Sequence, residues 1–234
     1  MKYPIFLTAI FFLSCNANNQ PPSPLAAAKP ALINNQASPQ KTINYDSCKQ
    51  QIINLKKQYK SSWGNLPQSQ KERIFTEAVT KTIIPNWYGT KWDFNGITQI
   101  PGKGTIACGY FVTTVLRDAG IQLNRSKLAQ QPSELIIRAL ANKKLIKRFC
   151  DMDIASFVNH IKQMGYGLYI VGLDCHVGFL YNDGSEVYFI HSSWIGTKDV
   201  QKEVAINSIV LSSSKFKEVG KISADENLLN NWIR

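Results

Sequence analysis

No Cys-x-x-Cys pair and no His-x-x-x-His pair occurs in the chain, which removes the spacings on which small zinc sites are built. Histidine is scarce, at three residues. Cys175 and His176 are adjacent, but neighbours on a strand face opposite sides and make a poor ligand pair. No metal and no cofactor is therefore expected. Acidic residues are also few: 16 Asp and Glu stand against 27 Lys and Arg, a formal charge of +11. The cations spread over 56–60, 143–148 and 215–221 without forming one basic stripe, so nucleic acid is not an expected partner. Such a field suits an anionic polymer or a lipid surface better. There is no internal repeat, and no apolar run approaches the roughly 18 residues that cross a membrane.

The longest apolar run is Ile5 to Leu13, behind the short positive start Met1-Lys2 and ahead of an abrupt polar turn after Cys15. That is the pattern of a secretory signal. Phe12-Leu13-Ser14-Cys15 resembles a bacterial lipoprotein processing site, with Phe12 where Leu is usual. The resemblance implies that residues 1–14 are a signal peptide and that Cys15 carries lipid. The expected location is the bacterial cell envelope, membrane-anchored through Cys15. Asn, Gln, Pro, Ala and Ser dominate from 16 to about 42, a tether with an r.m.s. reach of roughly 30 Å. Residues 43–234 suit one globular domain, expected to be monomeric.

Within that domain, Asp46 or Ser47 is placed to cap a helix running to about Ser62, and a second helix is expected from Gln68 to Ile83, ending before Pro85. The stretch 86–105 is rich in aromatics and glycine, and a loop of that length inside a domain is expected to line a site. Phe111, Val112, Val115, Leu116 and Ala119 recur at helical spacing behind Cys108, which puts that thiol at a helix N-terminus. There the helix macrodipole is expected to lower its pKa. Further helices are read at Ser133–Ala141 and Ile154–Met164, the second containing His160, which is not expected to be a catalyst.

Strands are read at Tyr166–Leu173, His176–Tyr181 and Val187–Ser192, with Asp183-Gly184 as the hairpin turn, and again at Ala205–Leu211 and Phe216–Ile222. Ser223 and Glu226 have the spacing of a capping box for a terminal helix. Period-two alternation puts His176 and His191 on matching faces of the hairpin, close enough for cross-strand contact. An oxidising compartment allows a disulfide among Cys48, Cys150 and Cys175, with no spacing that selects a pair.

The order of these pieces resembles the NlpC family of papain-like cell-wall cysteine peptidases. Gly89-Thr90-Lys91-Trp92 corresponds to the family's Gly-Thr-Pro-Tyr type loop, and Cys108-Gly109-Tyr110-Phe111-Val112 to its Cys-Ser-Gly-Phe-Val helix start. His176-Val177-Gly178 and His191-Ser192-Ser193 correspond to its two histidine strands. Ala107 stands where Asp commonly precedes the cysteine, Gly109-Tyr110 replaces Ser-Gly, and Trp92 replaces a Tyr near the oxyanion. The resemblance implies an α+β, papain-like fold in which an antiparallel sheet packs against the cysteine-bearing helix. It further implies a cysteine hydrolase with Cys108 as nucleophile, His176 as base and His191 as orienting residue. Tyr88, Trp92 and Gly109 are the candidates around the oxyanion and substrate. Peptidoglycan stem peptides are the implied substrate. The alternatives are a thiol amidase or acyl hydrolase with another substrate, and a non-catalytic surface binding lipoprotein.

Overall fold

The structure, a computed structural model, describes residues 44–234. The expected signal peptide, Cys15 and the tether lie outside the described residues. The first helix, α1 (Tyr45–Lys60), is capped by the Asn44 side chain, which accepts from the Asp46 N–H. The cap thus lies two residues before Asp46 and three before Ser47. α2 (Gln68–Glu77) widens into a π-helical turn at Ala78–Ile83 and tightens into a 3₁₀ turn at Ile84–Trp87, which absorbs Pro85 at a first-turn position.

α3 (Cys108–Asp118), the short α4 (Arg125–Ala129) and α5 (Ser133–Leu140) follow, then strand β1 (Ile146–Cys150) and α6 (Ile154–Gln163), capped by Asp153. β2 (Gly167–Leu173), β3 (Val177–Asn182), β4 (Val187–Ser192), β5 (Val200–Val204), α7 (Ile209–Ser213), β6 (Phe216–Gly220) and α8 (Glu226–Trp232) complete the order. The six strands form one sheet in the order β1-β6-β2-β3-β4-β5, antiparallel throughout. The fold is α+β, as read from the sequence.

Two expectations fail here for local reasons. Ala205–Leu211 is not a strand: the Ser208 hydroxyl accepts from the Leu211 N–H and caps α7, so the strand expected there lies earlier, at β5. Ser223 makes no capping box. Asp225 caps α8, while Ser223 Oγ donates to Glu72 and accepts from the Leu168 N–H.

β2 is buried along its whole length, because both faces of the sheet are covered. On one face Leu168, Ile170, Val177, Phe179 and Ile190 pack with α3, where the Phe111 and Phe179 rings meet edge-on at 5.9 Å. On the other, Tyr169, Val171, Leu180, Val187 and Phe189 pack against Phe157, Val158 and Ile161 of α6 and Leu211 of α7. Burying a side chain of this size contributes roughly 1.5–3 kcal/mol, so the double-sided core fixes both register and strand faces. The described cysteines Cys48, Cys108, Cys150 and Cys175 are all free thiols. No pair among Cys48, Cys150 and Cys175 is joined: Cys48 sits within α1 with its thiol on Asn86, Cys150 ends β1 and Cys175 lies in the β2–β3 turn. Among the described residues no helix is long and apolar enough to cross a membrane.

Candidate active site

Cys108 is the first residue of α3, so its N–H and that of Gly109 have no acceptor within the helix; the first i to i−4 bond runs from Phe111 N–H to the Ala107 carbonyl at 2.8 Å. The thiol is only partly exposed. Burial pushes its pKa up, and the N–H groups of Val177, Gly109 and Cys108 itself, all favouring the thiolate, offset only part of that rise. The lowering expected from the helix terminus is thus outweighed by desolvation. A Cβ on Gly109 would run into the Ala129 carbonyl oxygen, so α4 can lie against the start of α3 only because this residue has no side chain.

His176 immediately precedes β3, and His191 lies near the end of β4. The register places Phe179 opposite Ile190 and Leu180 opposite Phe189, so the two histidines are diagonal neighbours. Gly178 lies against His191: a Cβ there would stand 2.9 Å from His191 Cβ and 2.7 Å from Phe189. His176 Nε2 and His191 Nδ1 make a 2.9 Å hydrogen bond, with the rings nearly perpendicular at 81°. The Trp194 indole closes over His176, ring centroids 4.7 Å apart, and Phe189 stacks on His191 at 4.0 Å. Burial, then the neighbouring His191, holds the His176 pKa well below the ordinary range. Burial also lowers His191, although Glu203 opposes it. Both rings are therefore neutral at neutral pH. His176 Nδ1 is buried and has no hydrogen-bond partner.

Cys108 and His176 line one cleft of about 420 Å³, together with Gln131, Ser133, Glu134 and Cys175. On its other side Cys108 borders a cavity of about 740 Å³ walled by Trp92, Phe94, Ile97, Tyr110 and Trp194. The aromatic loop thus contributes a wall to this cavity, and Phe94 is 80% exposed there. Gly89 and Thr90 pin this loop to β5 through Gly89 N–H to Val200 O at 2.9 Å and Val200 N–H to Thr90 O at 2.8 Å. Tyr88, read as an oxyanion candidate, lines neither cavity. His160 lies apart on α6, its Nδ1 2.8 Å from the Ser156 carbonyl.

Sequence reasoning missed the residues behind the imidazoles. His191 Nε2 lies 3.1 Å from Glu203 Oε1, and the Ser208 hydroxyl donates to that same oxygen at 2.6 Å. Burial raises the Glu203 carboxyl, but the hydrogen bonds from His191 and Ser208 more than reverse this and hold it below the usual carboxylate range. Glu203 sits on β5, the strand expected at 205–211. With β5 at 200–204, period two puts Glu203 on the face of Phe189 and His191. Among the described residues no three His, Cys, Asp or Glu side chains group as metal ligands. No protein-family model, curated protein or solved structure matches the chain.

Proposed function

We propose that the chain is a cysteine hydrolase of the papain-like, NlpC type, with Cys108 as nucleophile and His176 as its base. One observation carries this reading: His176 commits Nε2 to His191 and leaves Nδ1 buried and without a partner, Cys108 Sγ included, while both residues line one cleft. A buried imidazole nitrogen without a partner costs free energy, and a catalytic role accounts for its being retained.

The resting pair is a thiol and a neutral imidazole, since burial acts against both charged forms. Catalysis therefore begins with proton transfer from Sγ to Nδ1 as sulfur attacks the carbonyl carbon, substrate in the cleft first drawing these two atoms into hydrogen-bond reach. The tetrahedral oxyanion is received by the free N–H groups at the start of α3, where one well-placed donor contributes roughly 3 kcal/mol. On collapse the C–N bond breaks, the leaving amine takes the proton from Nδ1, and a thioester remains. Water, deprotonated by His176, then adds to the thioester carbonyl; the C–S bond breaks, releasing the acid and restoring the thiol.

Peptidoglycan stem peptides are the proposed substrate, consistent with the basic charge and the resemblance read from the sequence. The test is digestion of purified peptidoglycan with product masses determined for wild type, Cys108→Ala and Cys150→Ala. Cleavage lost only in Cys108→Ala supports the reading, and loss in both variants or in neither sinks it.

The wall of Trp92, Phe94, Ile97 and Trp194 favours a second reading, an acyl hydrolase whose substrate carries an apolar group. A series of nitrophenyl esters of increasing chain length separates the two. Rising kcat/KM with chain length, and intact peptidoglycan, would favour the ester.

A further inference from the structure

We infer that Glu203 is a positioning residue that, through His191, decides which nitrogen of His176 carries its proton. The inference rests on Cys108 and His176 being nucleophile and base, and it adds what keeps that base in its usable form.

A carboxylate accepts hydrogen bonds and donates none. Glu203 Oε1, 3.1 Å from His191 Nε2, therefore requires the proton to sit on that nitrogen. His191 is neutral, so its Nδ1 has a lone pair and must accept across the 2.9 Å bond from His176 Nε2. His176 is neutral too, and with its proton on Nε2 the lone pair is on Nδ1. That is the nitrogen without a partner, and the one a thiol can protonate. Reversing any bond in the series would put a proton on Nδ1 and leave Cys108 without a base.

The neighbouring side chains fit this assignment once one amide is turned over. Gln201 Nε2 lies 3.2 Å from His191 Nε2, and one ring nitrogen cannot donate to Glu203 and accept from Gln201 together. Thr197 resolves the conflict. Its single hydroxyl proton goes to Asp199 Oδ1 at 2.6 Å, so it has only lone pairs to offer the Gln201 amide 3.4 Å away. Amide oxygen and nitrogen are isosteric, and the consistent arrangement turns the Gln201 NH₂ to Thr197 and its oxygen to the His191 Nε2–H. Ser208, 1% exposed, is held by the Leu211 N–H at the cap of α7 and spends its proton on Glu203. The His191 Nε2–H and the Thr197 and Ser208 hydroxyls then each meet an acceptor.

The experiment uses the full chain labelled with ¹⁵N-histidine. With three histidines, the ring nitrogens of each can be assigned by single substitutions. Protonated Nε2 and lone-pair Nδ1 are expected for both His176 and His191 near neutral pH. In Glu203→Gln, whose amide can donate as well as accept, His176 should populate the Nδ1–H form. Turnover of the amide or ester substrate should fall roughly 100-fold in kcat, with KM nearly unchanged, the scale of lost general-base catalysis. Ser208→Ala loses a bond to the same carboxylate and a helix cap but keeps the charge, and should retain the wild-type tautomers. The His160 signals report whether each variant is folded. Nδ1–H on His191 in the wild type would overturn the inference, as would unchanged tautomers and kcat in Glu203→Gln. The expected tautomers in a chain that hydrolyses neither substrate would support the proton assignment and overturn only the hydrolase reading.

Discussion

Ser192 Oγ donates a buried 2.7 Å hydrogen bond to the Ile106 carbonyl oxygen. Ser192 is the neighbour of His191 on β4, and Ile106 lies two residues before Cys108, so this one bond ties the histidine strand to the approach of the thiol helix. On the other side of Ile106, its N–H donates to the Lys91 carbonyl at 2.9 Å, which brings the aromatic loop to the same point. The segments that carry the thiol, the imidazoles and the cleft wall thus share a junction at Ile106, which is fully buried.

Ser192→Ala leaves the buried Ile106 carbonyl without that partner. A stability loss of about 1–3 kcal/mol is expected in urea titration. Because the start of α3 loses its tie to β4, kcat should fall by more than KM rises. Wild-type kcat in a measurably destabilised variant would show that the bond holds the fold and not the site.

Gly178→Ala forces a methyl against Phe189 and His191, at separations of 2.7 and 2.9 Å before relaxation. Overpacking of this kind costs about 1–3 kcal/mol. The displaced ring is the one that bonds His176, so activity should drop further than stability does. Gly64→Ala, at a position with no atom within 4 Å of the added carbon, is the matching control and should leave both unchanged.

Burial lowers His176 and raises the Cys108 thiol, which sets the pH dependence of the proposed dyad. Alkylation of Cys108 by iodoacetamide should be slow at neutral pH and should climb through the alkaline range above the ordinary thiol value of about 8.5. Hydrolysis should persist below the ordinary imidazole value of about 6.5, since His176 is still a free base there. A rate of alkylation flat from acid to neutral pH would indicate a preformed thiolate pair and contradict this arrangement.

Stability responds to the same histidines. Their folded pKa values lie below the unfolded one, so between the two the unfolded chain binds more protons and stability rises with pH. The contribution is complete above about pH 6.5 and is lost as pH falls from there toward the folded values. The melting temperature should decline from pH 7 to pH 5, and the decline should be smaller in a His176→Ala, His191→Ala double variant.

Phe94 is mostly exposed on the cleft wall, so Phe94→Ser should change stability by no more than about 0.5 kcal/mol. If the apolar wall holds substrate, KM rises while kcat stays near wild type. Unchanged KM on both the peptide and the ester would remove this wall from substrate binding.

The thiol, the two imidazoles and the helix and hairpin that carry them were legible because each sits on a strongly periodic segment: Phe111, Val115 and Ala119 mark α3, and alternation marks β3 and β4. Glu203 was not legible. The polar run Val200-Gln201-Lys202-Glu203-Val204 shows little of the alternation that betrays a half-buried strand, and the more apolar 205–211 drew the strand assignment away from it. The raised thiol pKa was hidden for another reason. Sequence shows which residue opens a helix, but desolvation depends on what packs over it, here the start of β3 and the aromatic walls.

β5 lies at the end of the sheet, bonded to β4 along one edge and, among the described residues, held by backbone hydrogen bonds on the other through Val200. Amides on such a strand exchange with solvent through small local openings that leave the rest of the fold intact. An opening of this kind would part Glu203 from His191. On the proposed mechanism, hydrogen exchange at Gln201 to Val204 then reports how often the imidazole pair loses its carboxylate.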